Sequence, residues 1–379
     1  MNDLKLMIPG PVDVADDVRK AMGSATIPHY GDAWVELYGE VLEVLKQIHS
    51  TQNDLYLMLG PGTAGLDAAL GSVLSQGEKV LVATNGFFGD RLATVATCCG
   101  LDVVTVRFPP HRPIDPGAVA ERLAADGDIR LVGLVHHETS TGMLNPVKSI
   151  SEAVHEQGVA ILVDAVSSLG GVPLLVDEWE LDLVVSVANK CLAGPPGFTS
   201  VTVSPRAWDM IVQRPDRGRG WYLNLETWRE YADKWGDWHP QPVTVPGQNL
   251  LAVAVALRRI MGRGLERHFE EFVRIAESVR AGMALMGFEL FLEPEWTCPL
   301  VSTFKTLPGT RPDDIARFLV EEHSIKIAPG IGELRDQVFR IGHMGLAQSD
   351  EYVRAVLAGV NDYVGGVDRG EPPTQTPGW

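Results

Sequence analysis

The sequence predicts an α/β protein built on a mostly parallel seven-stranded sheet, with a smaller α+β unit toward the C-terminus. Three observations lead there. Short apolar, β-branched runs alternate with longer stretches of helical periodicity through the first half of the chain. Several of those runs are apolar throughout, as expected of strands covered on both faces. Beyond Arg214 the pattern changes, and Gly287–Val364 reads as a second, shorter α+β pattern. In chain order, strands are predicted at Leu55–Leu59, Lys79–Ala83, Asp102–Val106, Arg130–Val135, Val159–Val163, Leu181–Val187 and Thr199–Val203. Helices such as Gly65–Leu74 and Ile150–Gln157 lie between them. The stretch Arg214–Pro246, rich in Trp, Tyr, Arg and Pro, is expected to be irregular and to cover a site or a subunit contact. From about Leu250 one long helical pattern runs through Arg280. No internal repeat is visible. In sheets of this kind ligands bind beyond the carboxyl ends of the strands, so chemistry is sought in the residues just after each strand.

Composition narrows the class of function. A formal net charge of −17 over 379 residues disfavours non-specific binding to nucleic acid or to an acidic membrane. No apolar run is long enough to span a bilayer. The opening residues lack the ordered regions of a signal peptide. The four cysteines, Cys98, Cys99, Cys191 and Cys298, contain no C-x-x-C pair. No metal and no disulfide framework are expected, and a cytoplasmic location fits.

Three local features carry the chemistry. After the first strand comes Gly60-Pro-Gly-Thr-Ala-Gly65 and then a helix. The N-terminus of that helix offers free N–H groups and a positive dipole end to a phosphate, and Thr63 adds a hydroxyl. A plain strand-to-helix turn is the alternative. A dinucleotide would need an acidic residue at the end of the second strand. That strand ends Val82-Ala-Thr-Asn85, without a carboxylate. The fifth strand ends on Asp164. A buried carboxylate needs a partner, and a protonated pyridine nitrogen is one. A helix cap or a hydrogen bond to Ser167-Ser168 is another. The sixth strand is followed by Lys190, in an apolar setting that lowers a lysine pKa and makes its amine nucleophilic. Gly194-Pro-Pro-Gly197 stiffens the chain beyond it. A lone strand-end lysine is usually a surface residue, but the three features occur together and in order.

From Pro9-Gly-Pro11 to about Val364 the chain resembles the class V aminotransferases, specifically the alanine/serine–glyoxylate group. The landmarks are Gly60–Gly65, Asn85-Gly-Phe-Phe-Gly89, His137-Glu-Thr-Ser-Thr-Gly142, Asp164-Ala-Val-Ser-Ser-Leu-Gly-Gly171, Asn189-Lys190 with Pro195-Pro-Gly197, and Arg340-Ile-Gly342. The resemblance implies the pyridoxal-phosphate-dependent transferase fold of type I. It implies pyridoxal 5′-phosphate as cofactor, carried as a Schiff base on Lys190, which also moves the substrate proton. Asp164 matches the partner of the pyridine nitrogen. Phe88 and Val166 match residues on the two faces of the ring. Gly62, Thr63 and Asn189 match the phosphate site, and Thr139 a hydroxyl near the phenolic oxygen. Thr244 aligns with a phosphate contact donated across a homodimer with shared active sites. Arg340 matches the grip on the substrate carboxylate, and Pro11, Tyr30 and Gly31 lie in segments that contact substrate. Pro61 departs from the serine of many relatives. The implied domains are an N-terminal segment (1–15) packing on the small domain and active site, a large cofactor-binding domain (16–258), a small domain (259–366) and a flexible tail (367–379).

The expected reaction moves an amino group from a small amine or amino acid, alanine- or serine-like, to glyoxylate or pyruvate. The neighbouring 2-aminoethylphosphonate–pyruvate, ureidoglycine–glyoxylate and pyridoxamine–pyruvate branches share several of the same landmarks. A pyridoxal-phosphate lyase or desulfurase would also keep Lys190 and Asp164. A desulfurase needs a cysteine on a mobile loop, for which Cys298 is the one remote candidate. A nicotinamide dehydrogenase would rest on Gly60–Gly65 alone.

Overall fold

The structure, a computed structural model, describes residues 4–216 and 220–368. The tail expected at 367–379 lies, beyond Asp368, outside those residues. The seven predicted strands form one sheet: β1 (Asp54–Leu59), β2 (Lys79–Thr84), β3 (Asp102–Arg107), β4 (Ile129–Val135), β5 (Ala160–Asp164), β6 (Leu183–Val187) and β7 (Phe198–Val203). Their spatial order is β1-β7-β6-β5-β4-β2-β3. All neighbours are parallel except β7, which runs antiparallel to both β1 and β6.

The apolar strands feed two cores. In β2, Leu81 and Ala83 enter one cluster while Val80 and Val82 enter the other. In β5, Ile161 and Val163 face the first cluster, and Ala160 and Leu162 the second. Alternate side chains therefore leave opposite faces of the sheet, and helices cover both. Burying each such Val, Leu or Ile side chain contributes about 1.5–3 kcal/mol, which is why these strands carry apolar residues on both faces.

Helix α1 (Gly62–Val73) starts three residues before the predicted Gly65, because Pro61 takes the cap position and its fixed φ suits a helix start. Helix α2 (Phe87–Cys98) follows β2. The stretch 214–246 is not irregular throughout. It contains α3 (Leu225–Trp235), whose first turn is capped by the Asn224 side chain accepting from Glu226 N–H. The long helical pattern after Leu250 is two helices, α4 (Gly247–Arg263) and α5 (Leu265–Leu285). Gly264, at φ 86°, breaks them apart in a backbone conformation that other residues rarely adopt.

A second, antiparallel sheet, in the order β8 (Val301–Lys305), β10 (Val338–Gly342) and β9 (Ala328–Pro329), has its own buried core around Ile275, Phe304 and Phe339. The N-terminal segment is laid on this unit. Lys5–Leu6 pairs in parallel with Ile325–Lys326, and Met7 O accepts from Gly342 N–H at 2.8 Å. The chain then reaches the first sheet at Gly10. No helix among the described residues is long and apolar enough to cross a membrane.

Candidate active site

A cavity of about 200 Å³ opens at the carboxyl ends of the central strands. It is lined by Gly62, Thr63, Phe88, Asp164, Val166, Asn189 and Lys190, all expected from the sequence. Arg91, His137 and Ser167 also line it and were not expected as site residues.

Each wall follows from its local structure. Gly60 lies at φ 141° and its N–H donates to Gly197 O at 2.9 Å, so the glycine loop is tied to the turn after Lys190. The first residues of α1 then bring unpaired N–H groups to the cavity. Gly62 has no room for a side chain: a Cβ there would lie 2.4 Å from Val166 Cγ2. Lys190 sits in a loop closed by Gly194 N–H donating to Ala188 O at 2.8 Å. Its stem passes Gly10, where a Cβ would be 3.1 Å from Lys190 Cε. Its amine lies 5.6 Å from the centre of the Phe88 ring and donates to Ser167 Oγ at 2.5 Å.

Phe88 is held by a residue the sequence reading missed. Glu138 is fully buried, and its Oε2 accepts from the N–H groups of Phe88 and Gly89, both at 3.0 Å. Its Oε1 accepts from Ser140 N–H at 3.0 Å and Ser140 Oγ at 2.5 Å. A carboxylate at the start of α2 meets the positive end of that helix. Burial pushes the Glu138 pKa up, and the four hydrogen bonds act against that shift.

Asp164 is buried, and among the described residues the one hydrogen bond to its carboxylate comes from Val166 N–H, at 2.9 Å to Oδ1. Burial raises its pKa, while the Val166 N–H, Lys190 and Arg91 lower it. Lys190 moves the opposite way. Burial lowers its pKa, and Asp164 is the largest effect resisting this. The pair is thus a buried acid with unused acceptor capacity beside an amine inclined to lose its proton.

Arg340 is buried on β10, in register with Thr303 and Ala328. Its Nη1 donates to Thr139 O at 3.0 Å, while Nε and Nη2 donate to Pro329 O at 3.1 and 2.8 Å. No carboxylate lies within ion-pair distance of it among the described residues; burial lowers its pKa to about 10, and the charge of Glu138 acts against that shift. Two of its five N–H donors remain for a ligand. Arg340 and Thr139 stand beside the cavity rather than in its lining. The Thr139 hydroxyl is buried without a partner. Pro11 is exposed next to Gly10, whose backbone lies against Lys190. Tyr30, Gly31 and Thr244 do not reach this cavity. Tyr30 is 51% exposed and its ring lies 5.6 Å from that of Trp238, and Thr244 is exposed.

These residues fit pyridoxal phosphate. The cradle at Gly62 excludes any side chain, the Thr139 hydroxyl is unsatisfied, and the Asp164 carboxylate needs a cationic donor. The Aminotransferase class-V family profile matches residues 20–331. The chain is 36% identical over 354 residues to an uncharacterized aminotransferase of Methanocaldococcus jannaschii, covering 93% of this chain and 90% of that one. It is 29% identical to the (S)-ureidoglycine–glyoxylate transaminase of Bacillus subtilis, covering 94% and 89%. The crystal structure of an alanine–glyoxylate aminotransferase from Nostoc sp. superposes with a TM-score of 0.91 at 30% identity, covering 96% and 95%.

Proposed function

The chain belongs to the class-V aminotransferases and is a pyridoxal-phosphate-dependent transaminase, and on that premise we propose that it moves an amino group from a small alanine- or serine-like donor to glyoxylate or pyruvate. The observation that carries this reading is the buried Arg340, with no ion-pair partner among the described residues, standing beside a cavity that holds Lys190 and Asp164 together.

When bound, the cofactor supplies a carbonyl that captures the donor amine and a protonated ring that takes up the electron pair released at Cα. The protein's own residues do the rest. Lys190 would anchor the cofactor and, once its amine is free, would take up the proton from the donor Cα. Asp164 holds the proton on the ring nitrogen. Phe88 and Val166 close on the two ring faces, with Phe88 kept in place through Glu138. The α1 N-terminus at Gly62 and Thr63, with Asn189, takes the phosphate. The Thr139 hydroxyl takes the phenolic oxygen. Arg340 takes the carboxylate of donor and acceptor with its two remaining N–H groups.

Pro11 sits where the N-terminal segment passes Lys190, and it flanks the bound substrate. Tyr30 and Gly31, with Thr244, complete the site of a second copy in a homodimer. That reading is supported by an exposed aromatic surface of Tyr30, Trp235 and Trp238, which is costly to leave in water. Residues 16–258 act as the cofactor domain and 259–366 as the small domain. The separate core around Phe304 and Phe339 and the break at Gly264 support that division. The free thiols of Cys98, Cys191 and Cys298 support a cytoplasmic location.

A panel of amines assayed against glyoxylate and pyruvate tests the substrate assignment. Alanine or serine is expected to turn over fastest, and only with a 2-oxo acid present. Faster turnover of 2-aminoethylphosphonate, ureidoglycine or pyridoxamine would assign the chain to that branch instead. Arg340→Lys is expected to raise KM for both donor and acceptor by about 10–100-fold, because a point charge replaces a planar two-donor grip. An unchanged KM would remove Arg340 from the substrate site.

A further inference from the structure

We infer that Ser167 is a positioning residue that holds the Lys190 amine whenever that amine is free, and that His137 fixes Ser167 for this task. The inference rests on Lys190 being the cofactor-bearing lysine. Ser167 is 7% exposed, and its hydroxyl accepts from Lys190 Nζ at 2.5 Å. It lies on the turn after β5, three residues past Asp164. Its carbonyl is held from two sides, by His137 Nδ1 at 3.1 Å and by Cys191 Sγ at 3.5 Å. One of these comes from the segment after β4 and the other from the residue next to Lys190. The Ser167 backbone is therefore fixed relative to both the acid and the lysine, and it presents the hydroxyl to the amine from that position.

A lysine side chain has four rotatable bonds, and its amine must return to one place in every cycle. Its stem is confined by Gly10, where even a Cβ would press on Cε and Cγ at 3.1 and 3.3 Å. That contact leaves the end of the chain undirected. The Ser167 hydroxyl supplies the direction. It uses one N–H of the amine and leaves the lone pair available to take a proton.

His137 is suited to hold Ser167 without disturbing the charges. A carbonyl only accepts, so Nδ1 carries the proton and donates. Nε2 is then an acceptor, and it is buried without a partner. Burial lowers the imidazole pKa to about 3, so the ring is neutral in the working range. The other titratable or charged groups facing Lys190 are Asp164, Glu138, Cys191 and Arg340.

The test is made first on the protein stripped of cofactor. Lys190 is labelled with a neutral acylating reagent across a pH series and quantified by peptide mass spectrometry. A hydroxyl that accepts from the amine favours the ammonium form. Its loss in Ser167→Ala is expected to lower the labelling midpoint by about half to one pH unit. In the loaded enzyme kcat is expected to fall about ten-fold with KM within about two-fold of wild type. Cys98, remote from the site, provides the control: Cys98→Ser leaves both values unchanged. His137→Asn is expected to shift the midpoint in the same direction by a smaller amount. A Ser167→Ala protein with the wild-type midpoint and wild-type kcat overturns the inference. Failure of the underlying reading looks different: borohydride reduction of the loaded wild-type protein would then attach the cofactor to a residue other than Lys190.

Discussion

Replacing Lys190 by alanine is expected to lower kcat by about 10⁴-fold and to abolish the visible absorbance of the lysine-bound cofactor. Two functions are lost in one substitution. Without the amine there is no covalent attachment, and there is no base within reach of the substrate proton. Among the cavity-lining residues, His137 cannot substitute as that base. Its Nε2 is unpartnered, but burial lowers the ring's pKa to about 3, which makes it too weak a base. Glu138 cannot either, because both of its oxygens are engaged with α2 and Ser140. The cofactor itself is expected to stay bound without the covalent link, since α1, Phe88, Val166 and Asp164 are untouched. Borohydride reduction followed by peptide mapping checks the attachment, and single-turnover kinetics check the proton transfer. A Lys190→Ala protein that keeps the Schiff-base absorbance band and its turnover would remove Lys190 from the reaction altogether.

Much of this site was legible because its two principal groups stand at the ends of apolar strands. Asp164 is the last residue of β5, and Lys190 follows β6 by three positions. A charged residue directly after such a run is readable without any structure. The strands themselves were legible for the same reason, since both sheet faces are covered and no alternation obscures them. The direction of β7 is also written in the sequence. Only residues 188–197 separate β6 from β7, too few to hold a crossover helix, so the two must run antiparallel. Helix α3 was obscured by its Trp and Tyr content, although Asn224 is an ordinary N-cap signal. Glu138, His137 and Ser167 were not legible as a working group. Their roles depend on which backbone atom each one meets across strands, and no sequence spacing encodes that. Arg91 lies over the Phe87 and Phe88 rings at 5.0 Å, a contact set by one turn of α2 but recognisable only once Phe88 is placed in the cavity.

Asp164→Asn is expected to lower kcat by about 10²–10³-fold, the scale found when a charge stabilising a transition state is removed from a dry site. The amide is nearly the same size as the carboxyl. Its oxygen can still accept from Val166 N–H, so the turn after β5 survives. On the proposed assignment, what is lost is the negative charge that would keep a proton on the ring nitrogen, and with it the ring's capacity to accept electrons. Stability should separate this from a general disruption. Burial is the dominant influence on Asp164 and raises its pKa in the folded chain. For a group with a raised folded pKa, the relative stabilisation is complete below the unfolded value and is lost as pH rises through the folded value. Above that range, the cofactor-free wild type carries an under-compensated buried charge that the asparagine variant lacks. The stripped variant is therefore expected to melt at the same temperature as stripped wild type, or higher, at neutral pH. Their difference should shrink as the pH falls below the ordinary carboxylate range. With the cofactor bound, Asp164 gains a cationic partner and the order should reverse, wild type melting higher. Melting curves of both proteins, stripped and loaded, at neutral and acidic pH supply the comparison. If wild type melts higher in both states, the Asp164 carboxylate is satisfied within the protein and its assignment to the ring nitrogen fails.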